Sequence, residues 1–388
     1  MKIINIAPCA IYSPGWSYQE NLLPRYQAAL GHDVILLTTT KQHSGSGFIV
    51  TDQSDTQSED GFRVIRRNLK YLHIPFFERI VSCIDVSDIL NDEKPDFIFY
   101  HGLVDVTIFQ VKTYIKKVNP NCVLVLDNHL DPNIGFPKGK KSTAILKLFY
   151  RMVYKYNNKY VSKVYGVTPW RAEYAHSFFG VPRDKIDVLI MGADDEKIDF
   201  ANRNRIRNSL RYENHLKDED FVIVTGGKID KKKRIIELMK AVNCLPQNIH
   251  LVIFGTVLDD VLDDFNNNLS EKIHYIGWIE ASKCYDYFFM SDLVVFPGQH
   301  SVLWEQACAS KTPCLFALWP GMQHVDNGGN SEFIENPTEI NLKERIIDLA
   351  FTERYYKMLR IAQSDITNIY LYSHIAAKSI ECSYRRII

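Results

Sequence analysis

Twelve short runs of β-branched, aliphatic or aromatic residues punctuate the chain, and nearly all are continuously apolar rather than alternating. The first half carries Ile3–Ile6, Val34–Thr38, Phe62–Ile65, Phe97–His101, Val123–Asp127, Val164–Thr168 and Val188–Met191. The second half carries Phe221–Thr225, His250–Phe254, Ile273–Ile276, Leu293–Phe296 and Pro313–Phe316. A strand with one wet face alternates. A strand apolar at every position is covered on both faces, as in parallel sheets flanked by helices. Longer segments of helical period separate the runs, so successive strands are joined by right-handed crossovers. The expected fold class is α/β, with doubly wound domains.

Between the halves, near residues 195–215, runs a polar, charged stretch that includes Asp194-Asp195-Glu196-Lys197 and Asn202-Arg203-Asn204-Arg205. From about Glu353 the chain lacks strand runs and reads as helix. The expected domains are therefore 1–195 and 196–365, with a helical tail over 366–388. The segment Gln42–Asp60, rich in Ser, Gly, Asp and Gln, predicts a mobile surface loop.

Composition narrows the function. The 388 residues include 46 basic and 46 acidic side chains, with 46% hydrophobic and 24% charged residues. That is ordinary globular composition and excludes a disordered chain. Zero net charge argues against a generally basic nucleic-acid binder, which needs a positive surplus to neutralise phosphates. No apolar stretch approaches the roughly 20 residues of a spanning helix, and the opening Met1–Pro8 does not read as a leader. The eight cysteines form no Cys-x-x-Cys pair and read as reduced thiols of a cytoplasmic protein. The twelve histidines show no metal-ligand spacing.

In doubly wound sheets, ligands bind beyond the C-terminal ends of the strands. Five turns there carry candidate chemistry. The loop Ala7–Trp16 brings Gly15 to the start of a helix, where backbone N–H groups can meet an anion. His129, flanked by Asp127 and Asp131 at a strand end, has the composition of a poised base or a hydroxyl-binding group; His101 is a second candidate. Gly226-Gly227-Lys228 followed by Lys231-Lys232-Lys233-Arg234 places cations at a helix start, which is unfavourable unless an anion is shared, as at a diphosphate site. In Pro297-Gly-Gln-His300-Ser301, Ser301 is a candidate helix N-cap, and Glu305 lies one turn on, suited to accept from vicinal sugar hydroxyls. The loop Ala317–Glu332, with Gly328-Gly329, fits a ligand contact. Each has a plain structural alternative: an ordinary turn glycine, a surface histidine, a solvated cluster, or a glutamate placed for the helix dipole.

Taken in order, these features resemble the family-4 glycosyltransferases of the GT-B fold. The resemblance spans most of the chain. It rests on the Gly15 loop with Gly31-His32-Asp33-Val34, on His129, and on Val188–Asp194. It continues through Gly227-Lys228…Lys233, Phe296-Pro297…Glu305-Gln-Ala307 and Gly328-Gly329…Glu332. It implies two Rossmann-like domains facing a central cleft, with the C-terminal helix crossing back to the N-terminal domain. The first domain would bind the acceptor and the second the nucleotide sugar. It implies a donor diphosphate on Lys228 and Lys233, a ribose on Glu305, and a transferred sugar beside His129. Gly15, Gly227, His300, Ser301, Gly328, Gly329 and Glu332 would complete the donor site. The chemistry implied is transfer with retention by His129, Lys228 and Lys233, with no metal and no cofactor beyond the nucleotide sugar. One departure stands out. The first glutamate of the family's Glu-x7-Glu motif is replaced by Pro297, which leaves the donor sugar open.

The implied acceptor is a glycan or a lipid-linked sugar, in surface polysaccharide or glycolipid synthesis. A nucleotide-sugar epimerase of the same fold and a non-catalytic sugar- or nucleotide-binding module are the competing functions. Charge distribution bears on the acceptor. Between Pro132 and Ala172 stand nine cations and no acid: Lys138, Lys140, Lys141, Lys147, Arg151, Lys155, Lys159, Lys163 and Arg171. Ile145, Leu148, Phe149, Met152, Val153 and Tyr156 run between them. The segment predicts either a covering helix with a solvated basic face or a peripheral contact with an anionic membrane, for which the loop Phe136–Lys141 is the better candidate.

Overall fold

The computed structural model describes residues 1–44, 47–74, 77–103, 105–132 and 141–384. Phe136, Lys138 and Lys140, in the loop singled out for membrane contact, lie outside them, as do the side chains of residues 141–143. The chain divides into two compact units. One comprises Met1–Ile190 with Tyr372–Ile388, and the other is Met191–Leu371.

The first unit is built on an eight-stranded sheet. Its order is Ile186–Val188, Lys163–Gly166, Val123–Asn128, Phe97–Tyr100, Lys2–Ala7, Asp33–Thr39, Arg63–Arg67 and Ser54–Gln57. All neighbours are parallel except the last pair. The continuous apolar runs are explained by a core on each face of this sheet. Ile4, Ile6, Ile98 and Leu124 point into one. Ile3, Phe97, Phe99 and Val125 point into the other, together with Tyr372, Ile375, Ala376 and Ile380 of the last helix, Tyr372–Tyr384. Gln27 ties that helix to the helix Gln19–Ala29 by donating to Ser379 Oγ at 3.0 Å.

The second unit holds a six-stranded, all-parallel sheet in the order Ile273–Gly277, Ile249–Val257, Phe221–Ile229, Leu293–Phe296, Cys314–Ala317 and Ser331–Ile334. The charged stretch expected between the domains lies inside this unit. Its helix Arg203–Glu213 packs through its cations: Arg207 and Arg211 both bond Asp292, at 2.6 and 2.7 Å, and Arg203 donates to the Ser310 carbonyl. The segment Asp365–Tyr370, expected in the tail, is a 3-10 helix of the same unit.

Two expectations are corrected. Gln42–Asp60 is not a structureless loop. Lys41–Ser44 pairs with Gly47–Val50 as a hairpin, and Ser54–Gln57 forms the sheet's outer edge. An edge strand needs one neighbour and little apolar cover, so Ser-Asp-Thr-Gln carries no hydrophobic signal. The glycines at 226 and 227 are not a turn either. The strand continues in register to Ile229, because its neighbour also runs on to Val257 and brings Gly255 against Gly227. A Cβ on Gly255 would lie 1.9 Å from the Gly227 carbonyl oxygen.

Candidate functional site

Parallel register assembles the candidate site of the first unit. Tyr100 pairs with Leu126, so the next residues, His101 and Asp127, stand side by side beyond the strand ends. His129 falls two residues after Asp127 and shares its face. Asp127 is fully buried, and one oxygen, Oδ2, takes both rings: His101 Nδ1 at 3.1 Å and His129 Nε2 at 3.2 Å. Its other oxygen accepts the Gly102 N–H at 2.8 Å. Burial alone would push the Asp127 carboxyl up, but the two histidines hold it well below the usual range. For His129, burial works against the charged ring, yet the Asp127 charge outweighs it and raises its pKa. His129 remains 41% exposed, so it faces outward while its partner does not.

Glu20, in the first turn of the helix after the Gly15 loop, lies within electrostatic reach of this group; its carboxyl is raised chiefly by burial. Gly15 itself has φ +77°, which explains the glycine. The loop is braced by Ser13, whose hydroxyl accepts the His43 N–H at 2.9 Å, and by Trp16 stacked on His43. Sequence spacing marks His101 as a candidate but not as a second ring on Asp127, and it does not mark Glu20.

In the second unit the cation cluster, the loop after Leu293–Phe296 and the loop after Cys314–Ala317 are joined. Asp230 accepts the N–H groups of Lys232 and Lys233, so this tight turn already has an anion at its start. The helix proper begins only at Ile235. Lys233 Nζ donates to the Gln299 carbonyl at 2.8 Å, the Gln299 N–H donates to the Lys232 carbonyl at 2.9 Å, and Trp319 Nε1 donates to the Gly298 carbonyl at 3.1 Å. Gly298 is required there, since a Cβ would lie 2.3 Å from the Lys232 carbonyl oxygen. Burial lowers the Lys233 pKa, whereas Lys228 is exposed on the extended strand. Gly227 abuts Leu303, the first residue of the next helix.

Ser301 is not the N-cap. The helix Leu303–Ala309 starts with Val302 in that position, and Ser301 uses its carbonyl to accept the Trp304 N–H. Glu305 is buried at 1% exposure, and its Oε1 accepts from His300 Nε2 at 2.9 Å and His324 Nε2 at 2.7 Å. Burial would raise its carboxyl; the two imidazoles bring it down to about 2. Sequence spacing does not mark His324 as a partner of Glu305, 19 residues away, because the path of the loop that carries it sets the contact. Among the described residues, His300, Glu305 and His324 offer ligand atoms within 4.8 Å of one another, a cluster with the residue types of a metal site.

Gly328 and Gly329 have φ +90° and +106° and turn the chain tightly over Ile366 and Ile361, with Asp326 accepting the Gly329 N–H. Glu332 lies on the strand Ser331–Ile334 and is held by Arg345 and Arg354. Its carboxylate is thus engaged within the protein.

Residues 207–362, which hold all of this second group, match the family model described as glycosyl transferases group 1. The chain is a glycosyltransferase. Its fold is that of GT-B glycosyltransferase structures. A glycosyltransferase from Rickettsia africae is similar over 100% of this chain and 98% of that one, with a TM-score of 0.70 at 14% identity. HepE of Anabaena, solved with UDP and glucose, gives 0.61 at 14% identity over 98% of each chain. WaaG, a glycosyltransferase of lipopolysaccharide biosynthesis, gives 0.59 at 13% identity over 97% of this chain and 98% of its own. No curated protein sequence matches. Among its described residues, the glycosyltransferase has no helix long and apolar enough to cross a membrane.

Proposed function

We propose that this glycosyltransferase moves a sugar, with retention at the anomeric carbon, from a nucleoside diphosphate sugar to a glycan or lipid-linked acceptor in surface polysaccharide or glycolipid synthesis. The observation that carries the donor reading is the joined group Lys233–Gln299–Gly298 beside Glu305. It puts a half-buried ammonium on a tight turn and a buried carboxylate in the first turn of the helix Leu303–Ala309, within one domain. A departing diphosphate needs cations aimed at its developing charge, and Lys233 with Lys228 supplies them. Glu305 receives the ribose, and Gly227, His300, Ser301 and the Gly328-Gly329 turn line the same donor site. Glu332 contributes by bracing the strand after that turn through Arg345 and Arg354. HepE, with UDP-glucose in a structure of similar fold, supports a nucleotide-sugar donor. In the first unit Gly15 lines the sugar-binding region, and His129, oriented by Asp127, which also raises its pKa, hydrogen-bonds the transferred sugar or the acceptor. No metal is assigned to the reaction.

A peripheral contact with an anionic membrane on the cytoplasmic side fits a lipid-linked acceptor. The helix Lys141–Asn157 turns Tyr150, Val153 and Tyr154 into the core, yet exposes Ile145, Leu148, Met152 and Tyr156 at 57 to 63%. Lys147, Arg151 and Lys155 lie between these exposed residues in sequence. An outward apolar stripe with basic neighbours is the composition of an interfacial helix.

A thermal-shift series with UDP-, GDP-, TDP- and ADP-sugars tests the donor reading, because a ligand of the native state raises its stability. At least one should raise the melting temperature of the wild-type chain and not that of Lys233→Ala. No response to any would overturn the reading.

A further inference from the structure

We propose that His300 and His324 are paired positioning residues for Glu305: both donate from Nε2 to Oε1, which fixes the carboxylate and leaves Oε2 as the oxygen that takes the nucleotide's sugar hydroxyls. The inference rests on the donor reading and assigns roles that Glu305 alone does not explain.

A carboxylate oxygen has two lone-pair directions in its plane. On Oε1 both are taken, at 2.9 and 2.7 Å, by rings from different loops. Oε2 is buried and has no partner. An ionised oxygen left so is costly, and a hydroxyl donor from a ligand satisfies it. The neighbouring Ser301 hydroxyl and Trp304 indole N–H are likewise buried without partners. Each histidine is itself held. The His300 ring packs edge-on against Trp304, which stacks on Phe316 at 4.4 Å, and Tyr370 donates its hydroxyl to the His324 carbonyl at 2.8 Å. Among the described residues, the side chains that hydrogen-bond the Glu305 carboxylate are these two imidazoles. The same trio has metal-ligand composition, but His324 Nδ1 has no partner, whereas a metal-bound histidine ordinarily passes its other N–H to a second group.

The test is calorimetry and steady-state kinetics on the full chain, using whichever of UDP, GDP, TDP and ADP most raises the wild-type melting temperature. Glutamine presents an amide N–H near the position of Nε2, and asparagine is too short. His324→Asn and His300→Asn should each weaken nucleotide binding about ten-fold, as should Glu305→Gln. His324→Gln should restore most of the loss. The loss should appear in donor KM rather than kcat, and His324→Asn combined with Glu305→Gln should bind no worse than the weaker single variant, since the residues act as one unit. Circular dichroism melts confirm that each variant is folded; the glutamine variants keep the comparison valid if an asparagine variant is not. If Glu305→Gln weakens binding while both asparagine variants bind as wild type, the positioning role is overturned and the donor reading stands. If Glu305→Gln itself binds as wild type, the donor reading falls and the inference with it. A stoichiometric divalent metal in the purified chain, lost in His324→Asn, would also overturn it.

Discussion

The ammonium of Lys233 donates to the carbonyl oxygen of Gln299 across 2.8 Å, joining two loops that are 66 residues apart in sequence. The bond leaves Lys233 two further donors, and burial lowers its pKa. Lys233→Ala should therefore remove both the loop contact and the charge. Turnover with the nucleotide sugar should fall by about 10²-fold or more, the range for losing one preorganised donor to developing charge. Wild-type kcat in this variant would remove Lys233 from the phosphate site.

Gly298 permits that approach. A Cβ there meets the Lys232 carbonyl at 2.3 Å, and backbone cannot yield as a flexible side chain can. Gly298→Ala should destabilise the second unit by about 1–3 kcal/mol, as overpacking does, and weaken donor binding too. Denaturant melts and calorimetry read the two effects. An unchanged midpoint would show that the loops separate freely.

Asp127 and His129 give a signed dependence on pH. The Asp127 pKa is depressed, so its contribution is present above its unfolded value, near 4, and is lost as pH falls through the folded value. The His129 pKa is raised, so its contribution is full below its unfolded value, near 6.5, and is lost as pH rises through the folded value. The stability gap between wild type and Asp127→Asn should thus be widest between about pH 4 and 6.5 and narrow above that. An NMR titration should show the His129 ring pKa falling in the variant. A gap that grows with pH would contradict the coupling.

For the membrane contact, flotation with vesicles containing phosphatidylserine should recover the wild-type chain at low salt. Charge reversal at Lys147, Arg151 and Lys155, or Met152→Asp on the exposed stripe, should reduce recovery several-fold, given ~1 kcal/mol for each basic residue near an anionic surface. Equal recovery of all variants would refute it.

The architecture was legible because strands covered on both faces must be apolar throughout, as Val123–Leu126 and Val222–Val224 are. The edge strand Ser54–Gln57 was not, since it is stabilised by backbone pairing that no side chain records. Arg207 and Arg211 were legible as charges but not as packing, because a polar stretch looks the same whether solvated or bound to Asp292. Candidate residues at strand ends could be located from the turns. What each one touches could not, and Ser301 shows why: a hydroxyl near a helix start caps only if the backbone enters at the right residue. Likewise, whether two histidines converge on one oxygen depends on loop paths, and His324 reaches Glu305 from 19 residues away.

The last helix has a consequence for synthesis. Tyr372, Ile375 and Ile380 fill the core of the unit that begins at Met1, so the unit that starts first is finished last. As the chain leaves the ribosome, Met191–Leu371 is complete while Leu22, Leu23 and Tyr26 still await their cover. The nascent chain therefore carries an exposed apolar face through the translation of 181 intervening residues. A stop codon shortly after Leu371 would leave the second unit's sequence whole and strand the first unit with that face open.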